Sequence, residues 1–367
     1  MSLCRQDTGQ RCKTYQITLN CDYSHRQHLY NLPLPMDTIT NYAQDLYGIS
    51  LFVGIVFLLL GGHLLVEGSV TIAKRLGIST LVIGLTIVAF STSSPELAFN
   101  IISSLNGHGD LSLGNIFGSN IANIGLVLGL GAVICKLPVT GQVVKTAFPL
   151  LVLATAIVGL VCYFQGLTVI WSCVLLVLFC FLMWKWFTLG IGESKVGTES
   201  IELVEELETE SSPIAAWSML LGGLFLLGLG GKVTELGAVS AALSFGMSEI
   251  VVGGTIVAIA TSLPEVVTTI VAARKGHPDL AVGNVVGSNI FNILFVLPIT
   301  VLVAPDMFIS VPSSAFVYIV IMLGMTILAW ILTKTGAGKP SIIPKEGAVL
   351  LGLFVAYLIC ISIWKSS

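Results

Sequence analysis

Two glutamates sit where a charge is costly. Glu96 and Glu265 are the only acidic residues deep inside the second and seventh long apolar runs of the sequence. Each follows a proline, Pro95 or Pro264, which lacks a backbone N–H and so frees a carbonyl in the preceding turn. Upstream lie Ser91-Thr92-Ser93-Ser94 and Ala260-Thr261-Ser262-Leu263, mostly small residues that tolerate an opened helix. Thr92 and Thr261, four residues before each glutamate, are placed to turn backbone carbonyls toward the same point. In the next run of each half, Ser119 and Asn123, and again Ser288 and Asn292, stand four apart and share a helix face. All of these are oxygen donors. No cysteine belongs to the set, and His108 and His277 are predicted in loops. Hard oxygen ligands suit Na⁺, Ca²⁺, Mg²⁺ or Mn²⁺ better than soft metals. A centre of charge −2 neutralises one divalent ion or two monovalent ions, so the two loads compete for it. That competition is the physical basis of exchange.

The elements that must hold such a centre are apolar. Of 367 residues, 55% are hydrophobic and only 10% charged, with a mean hydropathy of +0.94. A soluble domain carries about 25% charged residues, so a water-facing enzyme is excluded. A helical span needs roughly 20 apolar residues. Runs of that kind occur at about 49–73, 79–104, 112–135, 146–164, 167–187, 214–240, 247–273, 281–304, 314–334 and 346–364. The formal charge of −3 is small and mixed, and no basic block exists, which argues against a nucleic-acid partner. Eight cysteines form no CxxC or CxxH pattern, so no zinc site or disulfide framework is legible. No cofactor is expected.

A repeat decides the architecture. The second span reads GLTIVAFSTSSPELAFNIISSLNGHGDLSLGNIFGSNIANI, and the seventh reads GGTIVAIATSLPEVVTTIVAARKGHPDLAVGNVVGSNIFNI. Matched positions are offset by 169 without a gap, as in Glu96/Glu265, Asp110/Asp279 and Asn123/Asn292. Many shared letters are Gly, Ser, Thr, Asn, Pro and Glu, so hydropathy alone does not explain them. Five spans per half insert the second copy upside down. The chain is therefore expected to be an all-α polytopic membrane protein, ten transmembrane helices as two inverted five-helix repeats. Inverted repeats with broken helices at mid-membrane are the signature of alternating-access transport. The glycine pairs Gly114/Gly118 and Gly283/Gly287 predict close helix contact.

The expected domains are a polar leader (1–45), a first repeat (46–189), an acidic cytoplasmic loop (190–213) and a second repeat (214–367). Met36 is the alternative start, and the upstream segment is expected to be an artefact of start-site choice. Glu193, Glu199, Glu202, Glu205, Glu206, Glu208 and Glu210 make the loop a solvated connector without EF-hand spacing. Basic residues cluster after odd-numbered spans: Lys74/Arg75, Lys136/Lys145, Lys185/Lys195, Arg274/Lys275 and Lys334/Lys339/Lys345. This bias puts both termini on the non-cytoplasmic side, in the plasma (cytoplasmic) membrane. The loop residues His108, Asp110, His277 and Asp279 read as caps or turn residues. His63/Glu67 and Lys232/Glu235 read as local pairs near the membrane edge.

At the motif residues the chain resembles the calcium/cation antiporter superfamily, most closely the sodium/calcium exchanger branch with its prokaryotic members. The family's repeats, GTSLPE and GNxxGSNIxN, correspond to STSSPE with GNIFGSNIAN and to ATSLPE with GNVVGSNIFN. The resemblance implies that Glu96 and Glu265 ligate Ca²⁺ with the carbonyls of Thr92 and Thr261. It further implies Na⁺ sites using these glutamates with Ser93, Ser119, Ser262, Ser288 and the carbonyls of Ala89 and Ala258. Asn123 and Asn292 would line the central position, and spans 1 and 6 would slide across the rest. The chain departs from the pattern at Ser91 and Ser94, where Gly and Leu are usual. Asn292 stands where some members have Asp, leaving two carboxylates instead of three. The transported ions implied are Ca²⁺ and Na⁺, with the lipid bilayer as the surrounding partner. H⁺-coupled divalent exchange is the alternative within transport, because desolvation favours protonated carboxylates. A cation channel or sensor is the alternative of another class. No nucleophile with a positioned base is visible, so an enzyme is not expected.

Overall fold

The computed structural model describes residues 47–76, 79–164, 166–193, 212–244, 249–308, 311–335 and 339–364. The polar leader, Lys195, Glu199, Glu202, Glu205, Glu206, Glu208 and Glu210 lie outside these residues. Among those described, the helices are α1 (Tyr47–Leu76), α2 (Thr80–Leu105), α3 (Gly109–Ile134), α4 (Val143–Phe164), α5 (Val169–Glu193), α6 (Pro213–Ser244), α8 (Pro278–Val303), α9 (Ser313–Leu332) and α10 (Pro344–Trp364). Between α6 and α8 runs α7, made of Gly253–Thr261 and Leu263–Arg274 with a 46° bend. Among the described residues nine helices are long and apolar enough to cross a membrane, and α7, taken as one bent span, makes a tenth. The ten expected runs thus correspond to ten elements, with ends shifted by a few residues as capping dictates.

The helices α3 and α8 are the most enclosed, and they hold the Gly, Ser and Asn positions of the repeat. Small and amide side chains let backbones approach and hydrogen-bond where no water is at hand. By contrast α4, α5, α9 and α10 are almost purely aliphatic and aromatic, as lipid contact requires. Several exposed side chains there are large and apolar, among them Phe164, Val177 and Val320.

Two small pairings tie the halves together at opposite ends. A two-stranded antiparallel ribbon joins β1 (Leu137–Pro138) to β2 (Ser341–Ile342), so the α3–α4 and α9–α10 connections meet. At the other end the Leu167 N–H donates to Phe308 O at 3.0 Å, joining the α4–α5 and α8–α9 connections. Trp330 donates its indole N–H to Val144 O at 2.7 Å, and the Lys334 ammonium lies 4.0 Å from that ring centre. Such Trp and Lys pairs suit the water–lipid boundary.

The helices α1 and α6 form a tight antiparallel pair. Gly54, Gly61 and Gly68 recur every seven residues on α1, as do Ala216, Gly223 and Gly230 on α6. A seven-residue period keeps one face in register over two turns. A methyl group at Gly61 would stand 2.7 Å from the Leu227 nitrogen, and one at Gly223 would stand 2.5 Å from the Leu65 nitrogen. Backbone packs on backbone along the whole seam.

Candidate functional site

The helical breaks fall at the motif. In α2 the chain leaves helical geometry at Ser93 (φ −84°, ψ 2°), and in α7 at Ser262 (φ −81°, ψ 2°). Pro95 and Pro264 sit in the first turn of the continuing helix, where a missing N–H costs least. The Ala89 and Ala258 carbonyls accept the N–H of Ser93 at 3.0 Å and of Ser262 at 3.1 Å. Each carbonyl also faces the hydroxyl of the threonine three residues on, Thr92 Oγ1 at 3.4 Å and Thr261 Oγ1 at 3.5 Å. One turn before each break the helix widens into a π turn, Gly84–Val88 and Gly253–Val257. The helices α3 and α8 widen likewise from Asn123 and Asn292 onward. Insertions of this kind re-aim side chains and recur at functional sites.

Glycine brings the broken helices against α3 and α8 of the opposite half. A Cβ at Gly118 would lie 2.5 Å from Gly254 O, and one at Gly114 would lie 2.3 Å from Ile250 O. On the other side Gly283 meets Leu81 O at 2.8 Å and Gly287 meets the Ala89 Cβ at 2.7 Å. No larger residue fits at these four positions without moving backbone. The close contact expected from the glycine pairs is present, and its partner in each case is the other half.

The side chains then cross between halves. Ser93 donates to Glu265 Oε1 at 3.4 Å, Thr92 and Ser288 hydroxyls stand 3.2 Å apart, and Asn292 Nδ2 donates to Ser119 Oγ at 3.1 Å. Glu96, Glu265, Thr92, Ser119, Asn123, Ser262, Ser288 and Asn292 are fully buried, and Ser93 and Thr261 nearly so. Among the described residues Glu96 and Glu265 are the only charged side chains in the buried set. Ser262 Oγ, Glu265 Oε2, both polar atoms of the Asn123 amide and Asn292 Oδ1 are buried without a hydrogen-bond partner among the described residues. Buried polar atoms of this kind are costly alone. The oxygens among them are of the hard kind that a partly dehydrated Na⁺ or Ca²⁺ takes as ligands.

The peripheral expectations resolve differently. His63 Nε2 lies 3.3 Å from Glu67 Oε1, the local pair expected on α1. The shorter contact of Glu67 is to Lys275 Nζ at 2.7 Å, across from α1 to the end of α7. His108 and His277 occupy the N-cap positions of α3 and α8, but neither side chain makes a capping bond. The turn is closed by backbone: Gly107 and Gly276 take positive φ (87° and 80°), and the N–H groups of His108 and His277 reach back to Ser103 O and Ala272 O. Glycine adopts that conformation without penalty.

Two residues of the site's frame lie outside the expected set. Asn115 and Asn284 lie one turn before the serines, are fully buried, and hydrogen-bond to Thr261 and Thr92 of the opposite half. The letters GN of each repeat motif are their only sequence signal.

Comparison with known proteins follows the same residues. The family model described as sodium/calcium exchanger protein matches residues 46–187 and 215–363. The sodium/calcium exchanger MaX1 of Methanosarcina acetivorans is 31% identical over 84% of this chain and 96% of its own length. Inner membrane protein YrbG of Escherichia coli is 34% identical over 70% of this chain and 79% of its own. Among solved structures, the sodium-calcium exchanger NCX_Mj soaked with Na⁺ and Ca²⁺ superposes with a TM-score of 0.70 at 28% identity, covering 86% of this chain and 98% of that one. With its apolar helices, the chain is an integral membrane protein. It belongs to the sodium/calcium exchanger family of cation antiporters.

Proposed function

We propose that the chain exchanges Ca²⁺ for Na⁺ by alternating access at a single mid-membrane centre built on Glu96 and Glu265. The observation that carries this reading is the pair of fully buried carboxylates from opposite halves, set among buried hydroxyl and amide oxygens. Two negative charges in a low-dielectric interior are strongly unfavourable unless offset by positive charge. One Ca²⁺ or two Na⁺ supply the same +2, so occupancy by one load excludes the other. The ligands we assign are the carboxylates of Glu96 and Glu265, the carbonyls of Thr92, Thr261, Ala89 and Ala258, and the hydroxyls of Ser93, Ser119, Ser262 and Ser288. Asn123 and Asn292 line the centre.

For the motion, α1 and α6 are the candidates. Their glycine seam makes them one rigid pair. That pair meets the core at small residues, with Gly62 against Val267 of α7. The basic residues after spans 1, 3, 5, 7 and 9 support an orientation with those loops in the cytoplasm and both termini on the outer side of the plasma membrane. The halves 46–189 and 214–367, joined by the acidic segment 190–213, are the units of the proposed inverted repeat.

The test is radiocalcium uptake into proteoliposomes loaded with Na⁺, with the outer medium switched among Na⁺, K⁺, Li⁺ and choline. Uptake is expected only with an outward Na⁺ gradient, and it disappears in Glu96→Gln and in Glu265→Gln while both variants remain monodisperse. Uptake indifferent to Na⁺ but driven by a pH gradient would replace Na⁺ by H⁺ at the same centre. Wild-type flux in either variant would remove that glutamate from the site.

A further inference from the structure

We infer that Asn115 and Asn284 are positioning residues that fix the distance between the broken helix of one half and the glutamate-bearing helix of the other, and thereby set the affinity of the centre for divalent ions. The inference rests on the reading of the site proposed above. Neither residue is among the ligands of that reading.

Each asparagine bridges the two halves. Asn115, on α3, donates from Nδ2 to Thr261 Oγ1 at 3.1 Å, and its Oδ1 accepts from Asn100 Nδ2 at 2.7 Å. Asn100 lies one turn after Glu96, and the same Nδ2 donates to the Glu96 carbonyl at 2.7 Å. Asn284, on α8, accepts at Oδ1 from Thr92 Oγ1 at 3.0 Å and donates from Nδ2 to Thr269 Oγ1 at 3.1 Å. Thr269 lies one turn after Glu265, and Nδ2 also faces the Glu265 carbonyl at 3.4 Å. A short, planar amide thus spans from a threonine of one half to the turn that carries the glutamate of the other. All six side chains are buried, so water does not compete for these bonds.

The bridge is built with different parts on the two sides, and the parts agree with each other. The amide of Asn115 presents its oxygen to the glutamate helix, because Asn100 offers it a donor. The amide of Asn284 presents its nitrogen there, because Thr269 offers an acceptor. Asn100 brings an extra carbonyl oxygen that needs a donor, and Ser112 Oγ supplies it at 2.8 Å. Thr269 has no such extra oxygen, and Ala281 stands where Ser112 stands in the first half. The substitutions at both places preserve the connection while exchanging its chemistry. A packing role for Asn115 and Asn284 would not demand that match.

The consequence is metrical. Thr92 and Thr261 are held at their hydroxyls, so their carbonyls cannot drift relative to the carboxylates opposite. Ligand sets held in this way discriminate by ion size, and loss of such outer partners costs about 10- to 100-fold in metal affinity.

The experiment uses the full chain purified in detergent in Na⁺-free buffer. Binding of Ca²⁺ and Sr²⁺ is titrated by calorimetry for the wild type, Asn115→Ala, Asn284→Ala and the double variant Asn100→Thr/Ser112→Ala. The alanine variants are expected to bind Ca²⁺ about 10- to 100-fold more weakly, with the affinity ratio shifted toward the larger Sr²⁺. In proteoliposomes the KM for Ca²⁺ rises by the same factor, with the maximal rate per folded protein retained within a few-fold. The double variant gives the first half the chemistry of the second, and it is expected to bind like the wild type. Folded alanine variants with unchanged affinity and unchanged ratio overturn the proposal. If both alanine variants fail to fold, the double variant decides: a loss of Ca²⁺ affinity in a folded double variant overturns it, and wild-type binding supports it. A wild type that binds no Ca²⁺ at all would sink the exchange reading itself, and this proposal with it. Weakened binding in the variants alone concerns only the asparagines.

Discussion

The two halves of this chain carry the same functional letters on different supports. Glu96 and Glu265, Ser119 and Ser288, and Asn123 and Asn292 recur at one offset and with one burial. Around them the halves diverge. Leu85 of the first half is fully buried, and its counterpart is Gly254, over which the Tyr318 ring is laid. Asn106 of the first half corresponds to Lys275 of the second, which reaches Glu67 on α1. Positions that face the centre share one constraint, set by the ions they would bind. Positions that support it answer to their own neighbours, and a change at one is matched by a change beside it.

Transplanting residues between halves breaks this arrangement, and the largest effect is expected at Gly254. A Cβ there would stand 2.1 Å from the Tyr318 ring, and the Tyr357 hydroxyl donates to the Gly254 carbonyl. Tyr318 is itself fully buried and cannot swing out. Gly254→Leu, which copies the first half's residue, is expected to cost at least about 3 kcal/mol and to abolish monodisperse protein on size exclusion. Adding Tyr318→Ala should recover part of the folded yield. An unaffected single variant would mean that α9 does not seal the second half.

Truncation at the matching position of the first half is milder. Leu85→Ala shortens a fully buried side chain on a residue whose backbone packs against Gly287 of α8. The expected cost is about 2 kcal/mol, the low end for a buried leucine, because in a bilayer the lost methyls do not return to water. A lowered melting temperature with Na⁺-driven uptake still present is the expected pair of readings. Loss of uptake at full stability would instead place Leu85 in the transport path.

Much of this could be read from residues alone, and the rest has physical reasons for hiding. The spans are legible because lipid demands long apolar runs, and the repeat is legible because its polar letters have no business in lipid unless they serve a site. The glycines at 114, 118, 283 and 287 announce close contact, but nothing in their spacing says that the partner is the opposite half. The small residues at 54, 61 and 68 and at 216, 223 and 230 hold a heptad pattern, yet glycine is so common here that the period is hard to see. Asn115 and Asn284 share the serines' face one turn earlier, but spacing alone does not say that their amides reach threonines of the opposite half. Glu67 shows the same limit from the other side. Its neighbour His63 is four residues away and legible, whereas Lys275 is 208 residues away and has no local signal.

That long-range pair sharpens the comparison further. Lys275→Asn gives the second half the first half's residue and removes the contact from the end of α7 to α1. Both side chains are partly exposed, 28% for Lys275 and 40% for Glu67, so the expected loss of stability is only about 0.5 kcal/mol. The kinetic effect is expected to be clearer, because α1 is the element proposed to move over α7. A faster exchange rate with unchanged Ca²⁺ affinity is the expected result, measured as initial uptake against substrate concentration. An unchanged rate would make the pair a passive surface contact.

The smallest effect belongs to His277, in the turn between α7 and α8. Burial holds its pKa below the ordinary histidine value, and the nearby Lys74 and Lys275 charges add to that. The folded chain therefore binds fewer protons here than the unfolded chain over the window between the lowered value and about 6.5. Stability should decline as pH falls through that window and level off above it. His277→Asn removes the titration. Asparagine is also a good N-cap, so its benefit to α8 is a uniform offset that leaves only the slope to be read. Melting temperatures of wild type and variant in detergent, taken from pH 8 down to pH 5, should run parallel above about 6.5 and separate below it. Curves that stay parallel throughout would mean that the His277 proton is equally welcome in both states, and that the lysines beside it are too well solvated to matter.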